Sequence, residues 1–273
     1  MEDKIDYPGS NPLFSVVVPT HRRPLLLSRC LESIKAGSVG IRHEVIVVSD
    51  EQDPETARIC DRWLEGSDTF IRRSGQPGPA LSRNMALQLT KGQYLLFLDD
   101  DDAWRPGLLS ALSQYSDALK SAICYMNCEV VYEQRLASGP HRLRSLELDN
   151  ENQLNALVYV RNQVHMSCFV FPSFLAKQGM FDPYLKSYED WDYLLQVLPL
   201  SDITHLPLIG TIVHQVPDDT SDRRGNESTA RGIKGALDYL YIYRKHGNED
   251  PHIKSLRRAL LSRYGLELPN DVL

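Results

Sequence analysis

FSVVVPTHRRPLLLSRCLESI, residues 14–34, decides the architecture of this chain. Phe14 to Pro19 is a β-branched run closed by proline, the pattern of a buried strand. Leu27, Cys30, Leu31 and Ile34 then recur at helical spacing up to Gly37. The alternation continues downstream. His43 to Asp50 (HEVIVVSD) reads as a second strand, and Asp53-Pro54-Glu55 opens a helix with a cap residue and a proline at its first position, closed by Gly66. Thr69 to Arg72 is a short third strand. Pro79 to Lys91 is a third helix ended by Gly92, and Gln93 to Leu98 is a fourth strand. This order predicts an α/β fold, a mostly parallel sheet with helices on both faces.

The second half is expected to hold a helix from Pro106 to Leu119, a strand from Ala122 to Tyr132 and a polar, mobile insertion over 134–150. A helix (Asn152 to Val160), a strand (Met166 to Phe171) and a helix starting at Tyr188 follow, then late strands at Ile203 to Leu206 and Gly210 to Gln215. Pro217 to Ser228 (PDDTSDRRGNES) reads as a flexible loop, expected to close over a bound ligand as a lid. Two helices, about 230–246 and 251–264, end the chain. In the last, an apolar stripe (Ile253, Leu256, Ala259, Leu260) lies beside Lys254, Arg257, Arg258 and Arg263. Packing on the core is the first expectation for that stripe; an anionic inner membrane face and a homodimer are the alternatives.

The 273 residues are 42% hydrophobic and 24% charged, a globular balance that excludes a fibrous or wholly disordered chain. Apolar runs such as Tyr94 to Leu98 fall far short of the roughly 20 residues a membrane span needs. Residues 1–12 carry Glu2, Asp3 and Asp6 and lack the features of a signal peptide, so a cytoplasmic protein is expected. The net charge of −6 argues against nucleic acid as a ligand. Five scattered cysteines read as reduced thiols, with Cys124 and Cys128 as core residues of a strand.

Ligands of an open parallel sheet bind outside the carboxyl ends of its strands. There the sequence places Pro19-Thr20-His21, Ser49-Asp50 and Asp99-Asp100-Asp101-Asp102. Four adjacent carboxylates repel unless a cation neutralises them, and hard oxygen donors select Mg²⁺ or Mn²⁺; a solvated acidic turn is the alternative reading. An extended backbone would put Asp99 and Asp101 on one side, Asp100 and Asp102 on the other. There is neither a G-x-G-x-x-G nor a P-loop motif, so any phosphate is held by metal and by bases such as Arg22, Arg23, Arg72, Arg73 and Arg83. Glu189-Asp190 opens a helix, where acids either complement the helix dipole or serve as a general base. His214 sits in an apolar run, a core histidine or a metal ligand.

Together, FSVVVPTHRRPLLLSRCLESI, EVIVVSD, GPALSRNMALQLTKGQYLLFLDDDDAW and GMFDPYLKSYEDWDYLLQV resemble the inverting GT-A glycosyltransferase family 2 over about residues 13–216. The resemblance implies a GT-A fold: a Rossmann-like sheet with a donor half over 13–105, an acceptor half over 106–216 and a C-terminal helical extension over 229–273. It implies that Pro19, Thr20, His21 and Arg23 line the nucleotide end, that Asp50 takes a base N–H, and that Arg83 approaches base or phosphates. Asp99 or Asp100 would lie near the ribose, Asp101 on the Mn²⁺ or Mg²⁺ with Asp99, and His214 at a third ligand position. Asp190 would be the catalytic base, with Glu189 beside it holding a sugar. His21-Arg22 departs from the Tyr or Phe followed by Asn that is frequent in the family. The implied reaction is inverting transfer from a nucleotide sugar, a UDP-sugar first, to a glycan or lipid-linked acceptor in surface polysaccharide synthesis. The same residues would also suit a metal-dependent nucleotidyltransferase or phosphotransferase, or a sugar-nucleotide-binding module without turnover.

Overall fold

A computed structural model describes residues 11–136, 139–217 and 233–269. The first hundred residues follow the predicted order: β1 (Phe14–Thr20), α1 (Pro24–Gly37), β2 (His43–Ser49), α2 (Pro54–Trp63), β3 (Thr69–Arg72), α3 (Pro79–Leu89) and β4 (Tyr94–Phe97). Asp53 caps α2, accepting the Glu55 and Thr56 N–H groups at 3.2 Å each. β1 to β4 pair in parallel in the order β3-β2-β1-β4, with Thr20 level with Ser49 and Val17 level with Phe97. Their carboxyl ends therefore share one edge.

The second half extends the same sheet with β5 (Ala103–Trp104), β6 (Ala122–Leu136), β7 (Gly139–Leu148), β8 (Phe169–Pro172) and β9 (Asp202–Gln215), in the order β4-β8-β6-β9-β5 with β7 on β6. β8 runs antiparallel to β4 and β6, whereas β9 is parallel to β6 over most of its length. The helices of this half are α4 (Leu108–Ser113), α5 (Ser116–Ser121), α6 (Ser173–Ala176), α7 (Glu189–Val197), α8 (Ile233–Lys245) and α9 (Pro251–Arg263). Core residues of both halves, from Phe14 and Val17 through Phe97 and Phe171 to Trp191 and Tyr243, form one continuous apolar cluster. Among the described residues no helix is long and apolar enough to cross a membrane.

Several local expectations are corrected. The polar insertion over 134–150 is largely strand: β7 pairs with β6 as an edge hairpin, and its residues are mostly exposed, so no apolar alternation marks it. The helix at 152–160 shrinks to a 3₁₀ turn, Ala156–Tyr159: Asn152 takes φ 60° and Asn155 is extended, capping the turn through the Leu157 N–H. The helix over 106–119 is split into α4 and α5. The strand over 166–171 begins with a 3₁₀ turn at Met166–Cys168. The two late strands are one strand, β9, in which the register jumps from Leu206 to Ile209 and Pro207-Leu208 bulge out. Proline has no N–H for the ladder, which makes the bulge its natural site. Arg257, read as part of a basic face, points inward and is 1% exposed. The expected lid falls almost wholly outside the described residues.

Candidate active site

β1 and β4 deliver Thr20 and the aspartate run to neighbouring positions on the shared edge, and a hydrogen bond joins them: the Thr20 hydroxyl donates to Asp100 Oδ2 at 2.7 Å. One strand over, β2 brings Asp50 against His21, with His21 Nδ1 2.6 Å from Asp50 Oδ1. The other Asp50 oxygen accepts the Gly78 N–H at 2.7 Å and lies 3.5 Å from Arg73. Arg22 takes φ 48°, a left-handed turn between His21 and Arg23.

The four aspartates are not extended. Asp102 N–H donates to the Asp99 carbonyl at 3.0 Å, closing a turn that brings the first and fourth carboxylates together. Each meets its own neighbours. Asp99 pairs with Arg83 at 2.6 Å, and the same guanidinium reaches Glu189 at 2.8 Å. Asp100 pairs with Arg23 at 3.2 Å. Asp101 lies between Arg23 at 3.3 Å and Arg135 at 2.8 Å. Asp102 accepts from the Ser167 hydroxyl at 2.8 Å and the His214 N–H at 3.0 Å, with His165 Nδ1 at 3.5 Å.

These surroundings separate the titrations. Burial, offset in part by Arg23 and reinforced by Asp101, pushes Asp100 up to about 7. Burial does the same to Asp102, against His165 and with Asp101, also to about 7. Asp101 is held below the usual carboxylate range because Arg23 and Arg135 outweigh its burial. Burial raises Glu189, with Arg83 opposing and Asp190 adding to the shift. Burial and then Arg29 lower His214 to about 4, which keeps its imidazole neutral.

Asp99, Asp102 and His165 offer one ligand atom each, all within 4.8 Å of one another. Nearby, the buried His214 Nδ1 has no hydrogen-bond partner among the described residues. Two carboxylates and an imidazole without a thiolate fit Mn²⁺ or Mg²⁺. Asp99, Asp101 and His214 were named for the metal from sequence, with the choice within Asp99 to Asp102 open; His165 was not, and the Asp101 carboxylate meets two arginines. No motif marks His165. Because β8 is antiparallel to β4, its start rather than its end meets the aspartates, and strand direction was not legible beforehand.

Twelve residues named from sequence line one open cleft of about 500 Å³, Pro19, Thr20, His21, Arg23, Asp50, Arg83, Asp99, Asp100, Asp101, Glu189, Asp190 and His214, whereas Arg22, Arg72 and Arg73, named as candidate phosphate ligands, are not among its lining residues. His165, Lys186, Ser187 and Tyr188 join them unannounced. Asp190 lies in the first turn of α7, accepting the Trp191 N–H at 2.8 Å and the Asn162 side-chain N–H at 3.3 Å.

Comparison with known proteins agrees with the fold. A curated relative, the "Putative colanic acid biosynthesis glycosyl transferase WcaA" of Escherichia coli, is 27% identical over 242 residues, 87% of this chain and 82% of its own length. A "GalNAc(5)-diNAcBac-PP-undecaprenol beta-1,3-glucosyltransferase" of Campylobacter jejuni is 30% identical over 144 residues, 51% of this chain and 45% of its own. In fold, Staphylococcus aureus TarS (residues 1–349) in complex with UDP-GlcNAc gives a TM-score of 0.64 at 18% identity, over 93% of this chain and 73% of that one. The Pyrobaculum calidifontis mannosyltransferase PcManGT with GDP-Man and Mn²⁺ gives 0.59 at 18% identity, over 94% and 71%. The sequence model of the family described as "Glycosyl transferase family 2" matches residues 15–182, more than half of the 273, and the chain accordingly belongs to that family of glycosyltransferases.

Proposed function

We propose that this glycosyltransferase moves a sugar from a nucleoside diphosphate donor, a UDP-sugar, to a hydroxyl of a glycan or lipid-linked acceptor with inversion at the anomeric carbon. The carrying observation is the convergence of the strand-end residues, the aspartate turn and Glu189-Asp190 on a single cleft. In this reading residues 13–105 hold the donor. Pro19, Thr20, His21 and Asp50 receive the nucleoside, while Arg23, Arg83 and Asp100 face its ribose and phosphates. Asp99, Asp102 and His165, with Asp101 and His214 beside them, would hold Mn²⁺ or Mg²⁺. Such an ion supplies Lewis-acid neutralisation of charge on the departing diphosphate.

Residues 106–216 present the acceptor. Its oxygen attacks the anomeric carbon from the face opposite the diphosphate. The new C–O bond forms as the bond to the diphosphate breaks, and Asp190 takes the hydroxyl proton. One displacement with no covalent intermediate inverts the configuration. A second cavity of about 400 Å³, walled by Pro77, Pro79, Leu81 and Leu185, meets the cleft at Glu189 and gives the acceptor a route in. The colanic acid and undecaprenol-linked activities in the relatives' names support a surface-polysaccharide acceptor. A lipid-linked acceptor puts the work at the inner face of a membrane.

The test is nucleotide release from a panel of UDP-sugars with Mn²⁺. UDP release with sugar transfer supports the reading; sugar 1-phosphate release indicates nucleotidyl transfer, and binding without release indicates a non-catalytic module. Asp190→Asn should lower turnover by about 10²–10⁴ while UDP affinity stays within twofold. Near-normal turnover in that variant removes Asp190 as the base.

A further inference from the structure

Tyr188, two residues before Asp190, sits at φ 65°, a left-handed backbone that bulky side chains rarely adopt. Its carbonyl starts α7 by accepting the Asp192 N–H at 3.0 Å, so this one conformation sets the direction in which Glu189 and Asp190 leave the loop. A strained turn of this kind persists only where its surroundings over-determine it.

The surroundings come from α8. Asp238 Oδ2 accepts the Ser187 N–H at 3.0 Å. The Tyr239 ring lies 4.6 Å from the Tyr188 ring and 5.4 Å from that of Trp191. On the far side of Asp190, Asp192 is wholly buried and meets Lys245 Nζ and His246 Nε2 at 2.8 Å each. α9 secures this arrangement: Arg257 donates to the carbonyls of His246 at 2.9 Å and Tyr159 at 2.8 Å. The start of α7 is thus gripped before and after Asp190 by helices that lie outside the matched residues 15–182.

We propose that Asp238 is a positioning residue for Asp190, holding the left-handed Tyr188 turn so that the base points into the cleft, and that 233–263 belong to the catalytic machinery. The proposal rests on Asp190 as the base. Asp238→Ala removes the acceptor of the Ser187 N–H, whereas Asp238→Asn keeps a carbonyl oxygen there. A displacement of about 1 Å can cost about 10²-fold in rate, so the Ala variant should lose about 10- to 100-fold in kcat with the UDP-sugar turned over in the panel. Its donor KM and its Kd for UDP with Mn²⁺ should stay within twofold, and amide exchange over 187–192 should quicken. The Asn variant should recover kcat to within threefold. Tyr239→Leu, which strips the ring from Tyr188, is the second variant, with the same expectation as Ala. Unchanged kcat in Asp238→Ala, or kcat and donor affinity falling together without recovery in Asn, overturns the proposal. An inactive Asp190→Asn beside a normal Asp238→Ala sinks this proposal alone; an active Asp190→Asn sinks the base assignment and this proposal with it.

Discussion

At the residue scale, four like charges are tolerated because the turn at 99–102 sends them to different neighbours. Asp100 and Asp101 face arginines, and Asp99 and Asp102 converge with His165. Charge run and strand end were legible in the sequence, since both are local. The distribution within the run was not, because a turn and an extended chain of aspartates look alike in composition. The two arrangements make opposite forecasts for Mn²⁺ affinity measured calorimetrically with UDP. His165→Ala should weaken it tenfold or more, of the order seen on disturbing metal sites, while Asp101→Asn should stay within threefold. The reverse ranking would return the ion to Asp101 and His214.

At the scale of elements, Gly66 and Gly92 both read as helix enders, yet their sites differ. A Cβ on Gly66 would meet nothing within 4 Å, whereas on Gly92 it would lie 2.5 Å from Ser15 N and 2.7 Å from Phe14 C, both backbone. The Gly92 N–H also donates to the buried Ser15 hydroxyl at 2.8 Å, tying the α3–β4 connection to β1. Gly92→Ala should therefore cost about 1–3 kcal/mol in urea unfolding, and Gly66→Ala should stay within about 0.5 kcal/mol. Equal costs would mean that the close approach at Gly92 relaxes freely. Elements with one strong period, such as β1, β2 and α1, were legible. β7, exposed over most of its length, was not, and β9 was legible only as two separate strands, because the bulge that joins them is set by the pairing with β6.

At the scale of the molecule, the C-terminal helices are pinned by charges from distant segments. Lys245 bridges Asp182 at 3.2 Å and Asp192 at 2.8 Å. Against its burial, the Tyr184 N–H, the Tyr241 hydroxyl and Lys245 hold Asp182 below its ordinary 3.8. A depressed carboxylate stabilises the fold above its unfolded pKa, and that contribution is lost as pH falls through the folded value. Burial opposes charge on Lys245, but Asp192 and Asp182 raise it above its ordinary 10.5. A raised lysine stabilises the fold below its unfolded pKa and stops doing so as pH rises through the folded one. The Tm difference between the wild type and Lys245→Met should thus be constant through neutral pH and shrink below about 4 and above about 10.5. A difference that does not change with pH would mean that the bridge does not anchor α8.

By itself the sequence determined the alternating β/α frame, the edge that the strand ends share, and the identity of most side chains there. These follow from hydrophobic period, from proline and glycine punctuation, and from the rule that strand ends in a parallel sheet share an edge. Only the tertiary structure decided which aspartates converge, that His165 joins them, and that α8 grips the turn before Asp190. Those contacts link residues dozens of positions apart, across an antiparallel strand and a helix packed from beyond the matched segment, and no local pattern encodes which distant partner a buried charge will find.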